Sequence, residues 1–240
     1  MLTVLLAGHL AGDFLLQTDG LVRRKRELPF LVLHAGIVML ITALFCGTVH
    51  PLLLGAVFLL HLLIDLLKSR GLGDDLRGFL FDQGLHLLSL VALARLIPDA
   101  FAGGWWPLLV GVENLAAYLA TVTVFNGLVL SLFFGAILVG KATIPFTRAM
   151  VDSGKGLPEG GRTIGFLERF LVFVFTILGE FAAVGFLLTA KSILRFGEIR
   201  DTEDRKAAEY VIIGTFLSLA WALTIALGTR ELWYLWVAVE

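Results

Sequence analysis

Apolar positions run along this chain in long, nearly unbroken blocks separated by short polar segments. A helix needs about 20 predominantly apolar residues to cross a bilayer. The blocks predict spans at roughly 2 to 18, 29 to 47, 52 to 68, 78 to 97, 114 to 140, 166 to 190 and 209 to 228. The first block has neither a positive residue ahead of it nor a small-residue cleavage site after it, so it reads as a retained helix rather than a secretory signal. The expected architecture is all-α, a polytopic transmembrane helix bundle of about seven spans. Residues 1–100 would form a four-helix transmembrane bundle, and residues 101–240 a C-terminal region of about three spans with basic loops.

Within those blocks the polar exceptions follow a pattern. HLAGDFLLQ on the first span carries His9, Asp13 and Gln17 four residues apart, and HLLIDLLKS on the third repeats it with His61, Asp65 and Lys68. The fourth span begins FLFDQGLHLLS, with Asp82, Gln83 and His86, and the second begins PFLVLHAGIV, with His34. Residues i and i+4 share one helical face, so each His/Asp pair points one way. Counted from the same end of the bundle, at 1.5 Å per residue, all seven ligand-type side chains fall in a common slab roughly 5 to 15 Å deep. The reversed order on the fourth span is what its opposite direction requires.

Composition agrees with a membrane setting. The 240 residues are 58% hydrophobic and 16% charged, with a formal net charge of -1, and the mean hydropathy is +0.90. This excludes an ordinary soluble domain and offers no basic surface for nucleic acid. Cys46 is the one cysteine; it cannot build a disulfide framework and is expected as a small buried residue.

Positive residues set the orientation. Arg23 to Arg26, and later Lys68, Arg70 and Arg77, place the first and third connections in the cytoplasm and the amino terminus outside. The second and fourth connections, GTVHP and IPDAFAGGWWP, are poor in positive charge; Trp105 and Trp106 suit an interface, and His50 a solvated turn. The second half is less consistent, because the loops 141–162 and 191–206 are both basic although one span lies between them. Either residues 166–190 form a re-entrant hairpin broken near Gly179 and Glu180, or one basic loop violates the rule; seven spans is the simpler count.

The slab has a cost that selects its chemistry. A carboxylate at the centre of a membrane helix costs roughly 2.5 to 3.5 kcal/mol on insertion scales, so three aspartates must be paired or bind a cation. Imidazole and carboxylate without thiolate suit a divalent metal such as Zn, Mn, Fe, Co or Ni. His9, Asp13, His34, His61, Asp65, Asp82 and His86 are the candidate ligands, for one ion or two. His61, Asp65, Asp82 and His86 are expected to touch the ion, and His9, Asp13 and His34 to complete its shell or act as base in catalysis. Gln17, Lys68 and Gln83 would support the ligands or meet a lipid headgroup. Three functions remain open: hydrolysis of a lipid-like or membrane-bound substrate, transport of a proton or other permeant ion through the same residues, and a scaffold in which His/Asp hydrogen bonds only fasten helices.

The second half has fewer signals. GKGLPEGGRTIG, at 154–165, lacks the spacing of a phosphate-binding loop and reads as a flexible connection. Glu168, Arg169, Glu180, Lys191 and Arg195 place opposite charges near helix ends, where docking loops or lipid phosphates competes with simple solvation. DTEDRKAAEY reads as a polar loop, and Trp233 and Trp236 as interface anchors.

HLAGDFLLQ, HLLIDLLK and FLFDQGLH, with GRTIGFLERF, AKSILRF and AEYVIIGTFLS, make the chain resemble a bacterial membrane family known as domain of unknown function 3307, over nearly its whole length and most specifically in the first hundred residues. The resemblance implies a multi-pass protein of the bacterial inner membrane and no particular activity. His9, Asp13, Gln17, His61, Asp65, Lys68, Asp82, Gln83 and His86 occupy that family's characteristic polar positions. A looser likeness, in ligand type alone, is to membrane-embedded metal-dependent hydrolases.

Overall fold

The computed structural model describes residues 1–25, 27–147, 160–196 and 202–238, and these are all helix and connection with no strand. Two compact units are present, one of residues 1–129 with 232–240 and one of residues 130–231.

The first unit holds helices α1 (Leu2–Leu15), α2 (Leu28–Cys46), α3 (Pro51–Gly71), α4 (Leu76–Leu96) and α5 (Leu115–Val129). Neighbours in sequence pack as neighbours in space, α1 on α2, α2 on α3 and α3 on α4, and α4 returns to α1, which closes a four-helix bundle; α5 covers α1 from outside. Its faces are inverted relative to a soluble bundle. On α3, His61 and Asp65 are buried while Leu59 and Leu63 are more than half exposed. Apolar side chains outward and charge inward is the arrangement expected when the solvent is lipid.

Local chemistry sets the helix ends. Proline enters the first turn of α2 and of α3, where its missing N–H costs nothing. Asp75 caps α4 by accepting from the Gly78 N–H at 2.8 Å. His50, exposed as expected, also caps α3, its Nδ1 accepting from the Leu53 N–H. At the end of α2, Gly47 is left-handed with φ 64; its N–H reaches the Leu44 carbonyl and that of Thr48 the Ala43 carbonyl, the paired closure that favours glycine there. Cys46 is fully buried and unpaired with any other cysteine.

In the second unit one predicted block is divided. Residues 166–190 are not one helix but parts of two, α7 (Gly160–Leu178) and α8 (Phe181–Phe196), following α6 (Gly135–Thr147). Gly179 has φ 81, and the Gly179 and Glu180 N–H groups close on the carbonyls of Thr176 and Phe175, so the chain turns where the hairpin reading placed its break. Lys191 meets Glu168 at 2.6 Å. Contact between residues on either side of the break shows the two arms folded back on one another. Among the described residues five helical segments are long and apolar enough to cross a membrane: Leu28–Cys46, Pro51–Gly71, Leu76–Leu96, Val112–Phe146 and Glu209–Val237. The first helix is shorter than its apolar block, since it ends at Leu15, and at about 1.5 Å per residue it is roughly 21 Å long.

Two further expectations are corrected. Residues 202–210 of DTEDRKAAEY open the last helix, α9 (Thr202–Val237), instead of forming a loop. Helix α7 likewise begins at Gly160, inside the connection expected at 154–165; residues 154–159 of that stretch, and Arg26 and Asp201 elsewhere, lie outside the described residues.

A buried His/Asp layer as candidate metal centre

Four helices deliver the polar residues to one place. Helix α1 supplies His9 and Asp13, α2 His34, α3 His61 and Asp65, and α4 Asp82 and His86, all with side chains no more than 6% exposed. Helix α1 can come this close because of two glycines. A Cβ on Gly8 would fall 2.5 Å from the Thr42 Cα and one on Gly12 would fall 2.6 Å from Val38 Cγ2, both on α2. Gly8 and Gly12 form the small-xxx-small spacing that lets membrane helices approach backbone to backbone. They flank His9 and precede Asp13. The last turn of α1, Ala11–Leu15, is π-helical, a local widening that recurs at functional sites, and Asp13 lies inside it.

The tightest group is a triangle. Asp13 Oδ1 lies 3.0 Å from His34 Nε2 and 3.3 Å from His61 Nε2, and the two Nε2 atoms are 3.1 Å apart. Asp65 Oδ2 stands over it at 3.6 Å from His34 Nε2 and 3.7 Å from His61 Nε2. Ligands bound to one tetrahedral zinc at about 2.0–2.1 Å are about 3.3 Å from each other. The triangle has that size.

Hydrogen bonding alone does not satisfy it. Besides Asp13 and His61, the amide nitrogen of Gln17 lies 3.1 Å from the same His34 Nε2, and one ring nitrogen offers a single proton or a single lone pair. Lone pairs converging on a cation would resolve the crowding, and the Asp13, His34 and His61 ligand atoms are close enough together to hold one. The second group, Asp65, Asp82 and His86, is looser, with one ligand atom from each lying within 4.8 Å of the others. His86 Nε2 is 3.8 Å from Asp65 Oδ1 and 3.7 Å from Asp82 Oδ1, and both His86 Nε2 and Asp82 Oδ1 are buried without a hydrogen-bond partner. Such orphans inside a low-dielectric core are costly.

Supporting residues hold the outer atoms. Lys68 and Gln83 both donate to Asp82 Oδ2, which leaves Oδ1 facing inward. Gln83 Oε1 lies 3.3 Å from His9 Nε2, and His9 Nδ1 lies 3.9 Å from Asp13 Oδ2. Lys25 was counted from sequence only as part of a topology-setting basic run. In the structure its ammonium reaches Asp65, 3.1 Å from Oδ2 and 3.3 Å from Oδ1. No spacing rule links a loop lysine to a helix forty residues on. The glycine pair was legible, since Gly8 and Gly12 stand four apart beside the first motif.

All ten sequence-selected residues thus come together, and His9, His61 and His86 form a third convergent set on the far side. The formal charges sum to three carboxylates against the ammoniums of Lys25 and Lys68, and Asp13 faces imidazoles alone among these partners. The layer has one negative charge more than its lysines balance.

Residues 1–102 match a family model described as protein of unknown function (DUF3307). The matched segment contains every member of the layer, from His9 to His86, and stops before α5. The later motifs GRTIGFLERF, AKSILRF and AEYVIIGTFLS lie beyond the match, so the similarity is confined to the region where the sequence resemblance was most specific. No curated protein and no solved structure matches the chain.

Proposed function

We propose that this is a multi-pass membrane enzyme that holds a divalent metal ion at Asp13, His34 and His61 and hydrolyses a lipid-like substrate. The observation that carries it is the triangle of Asp13 Oδ1, His34 Nε2 and His61 Nε2, whose edges of 3.0, 3.1 and 3.3 Å suit one ion and overfill one hydrogen bond. The ion would be Zn, Mn, Fe, Co or Ni, since the donors are imidazole and carboxylate. Bound there, it supplies Lewis acidity and a water that ionises near neutral pH.

The rest of the chemistry falls to side chains. When His9 Nε2 donates to Gln83, Nδ1 is left as the free base facing Asp13, placed to accept a proton. Asp65, steadied by Lys25, adds negative charge beside the triangle. Lys25 and Lys68 are partly exposed, so they line its polar rim, suited to an anionic phosphoester headgroup whose apolar part stays among the outward leucines. The positive residues of the connections favour an orientation with the amino terminus outside and the rim toward the cytoplasm, and the family resemblance favours a bacterial inner membrane.

The test uses full-length protein in detergent, stripped by chelator and reloaded with each metal in turn. Phosphate release from short-chain phosphoester lipids is expected to require metal and to be abolished in Asp13→Asn and His61→Gln. Absence of hydrolysis, together with ion flux in proteoliposomes that Asp13→Asn abolishes, would overturn the enzyme in favour of transport through the same residues.

A further inference from the structure

We infer that the layer is built for two cations, with Asp65 as the carboxylate that bridges them. This rests on the metal-binding reading above and extends it from one ion to a pair. The two oxygens of Asp65 face different partners. Oδ2 is turned toward His34 and His61 at 3.6 and 3.7 Å, whereas Oδ1 is turned toward His86 at 3.8 Å. A carboxylate placed this way closes the first triangle with one oxygen and opens a second group with the other.

The second group has its own unmet demand. His86 Nε2 and Asp82 Oδ1 point at each other across 3.7 Å, too far for a hydrogen bond, and neither has a partner elsewhere. Both residues are 99% buried, so water at the surface cannot serve them. Meanwhile Asp82 Oδ2 is fixed by Lys68 and Gln83, which aims the bare Oδ1 at the same point as the bare Nε2 and Asp65 Oδ1. Two ions sharing one carboxylate stand about 3.5–4 Å apart in two-metal hydrolases, an arrangement that clamps both the attacking and leaving oxygens of a phosphoester. The substrate class this favours is a phosphate ester over a carboxylic ester.

Lys25 fits the same geometry as a stand-in charge. Its ammonium contacts both Asp65 oxygens, the atoms that each ion would claim. Loading the pair requires Lys25 to withdraw toward the rim.

The experiment is a titration of chelator-stripped, full-length protein in detergent with Mn²⁺, read by metal per chain and by electron paramagnetic resonance. Two ions per chain with an exchange-coupled spectrum are expected for the parent. His86→Gln should retain one ion and an uncoupled spectrum, and Asp65→Asn should lose the coupling. One ion per chain in the parent, unchanged by His86→Gln, would overturn the bridge and leave the single-metal reading standing. No bound ion in the folded parent would overturn both.

Discussion

The two units of this protein solve the same problem, polar side chains on membrane helices, in opposite ways. In the second unit several hydroxyls close on their own helix: Thr143, Thr189, Thr224, Thr229 and Ser192 each donate to the carbonyl four residues back. The Lys191–Glu168 pair joins the arms of the hairpin, and buried Arg169 has Ser218 as a hydrogen-bond partner. The hydroxyl bonds are satisfied within one helix, whereas Lys191, Glu168 and Arg169 each find a partner on another helix of the same unit. In the first unit Thr121 and Thr123 close the same way, but its imidazoles and carboxylates cannot close on their own backbone turn. They are brought from four helices to one point and still leave inward-facing atoms unbonded. Local satisfaction stabilises a helix; convergence with a deficit gives groups that could hold a metal ion.

That contrast can be broken most forcefully at Asp65. Asp65→Ala strips the partner from Lys25 and from three imidazoles, and is expected to cost about 3–5 kcal/mol of stability together with all bridged metal. Arg169→Met, equally buried in the other unit, should be near neutral in thermal unfolding and leave metal content unchanged, since replacing a buried charge by an apolar chain of similar length removes its desolvation cost. Equal losses from both variants, by thermal shift in detergent, would erase the distinction between the units.

Smaller effects should follow the geometry. Gly12→Leu drives a side chain into Val38 and is expected to cost about 1–3 kcal/mol while weakening metal binding, because it moves α1 and Asp13 away from α2. Gly36→Ala, with nothing within 4 Å of its new Cβ, should be neutral or stabilise by about 0.5–1 kcal/mol. Gln83→Leu frees Asp82 and His9 from a shared amide and should lower metal affinity about 10–100-fold, measured by competition with a chromophoric chelator. Lys25→Met should act with the opposite sign and raise affinity, because its ammonium sits on the oxygens an ion would take. Thr224→Val, which removes only a local bond to Ala220, should stay within about 0.5 kcal/mol.

Much of this was legible in the sequence for a physical reason. Side-chain period and depth are fixed by the helix, so H-L-x-x-D repeated on spans of known direction places His9, Asp13, His61, Asp65, Asp82 and His86 in one slab without coordinates. What helical counting cannot supply is rotation of one helix against another. It therefore grouped His61 and Asp65 with Asp82 and His86, whereas the closest set is Asp13, His34 and His61, drawn together by Gly8 and Gly12 and by the π turn at Asp13. Hydropathy also cannot see a turn inside an apolar block. Gly179 ends α7 by its left-handed backbone, and the signs of it in the sequence were the charge conflict between flanking loops and the Gly179–Glu180 pair inside the block.

The central claim is that the layer holds metal, and the most direct measurement is elemental analysis of detergent-purified parent protein beside Asp13→Ala and His61→Gln, each shown to be folded by size-exclusion and thermal unfolding. The account predicts at least one divalent ion per parent chain and less than a tenth of that in both variants. A folded parent without metal, or metal retained undiminished in both variants, would contradict it.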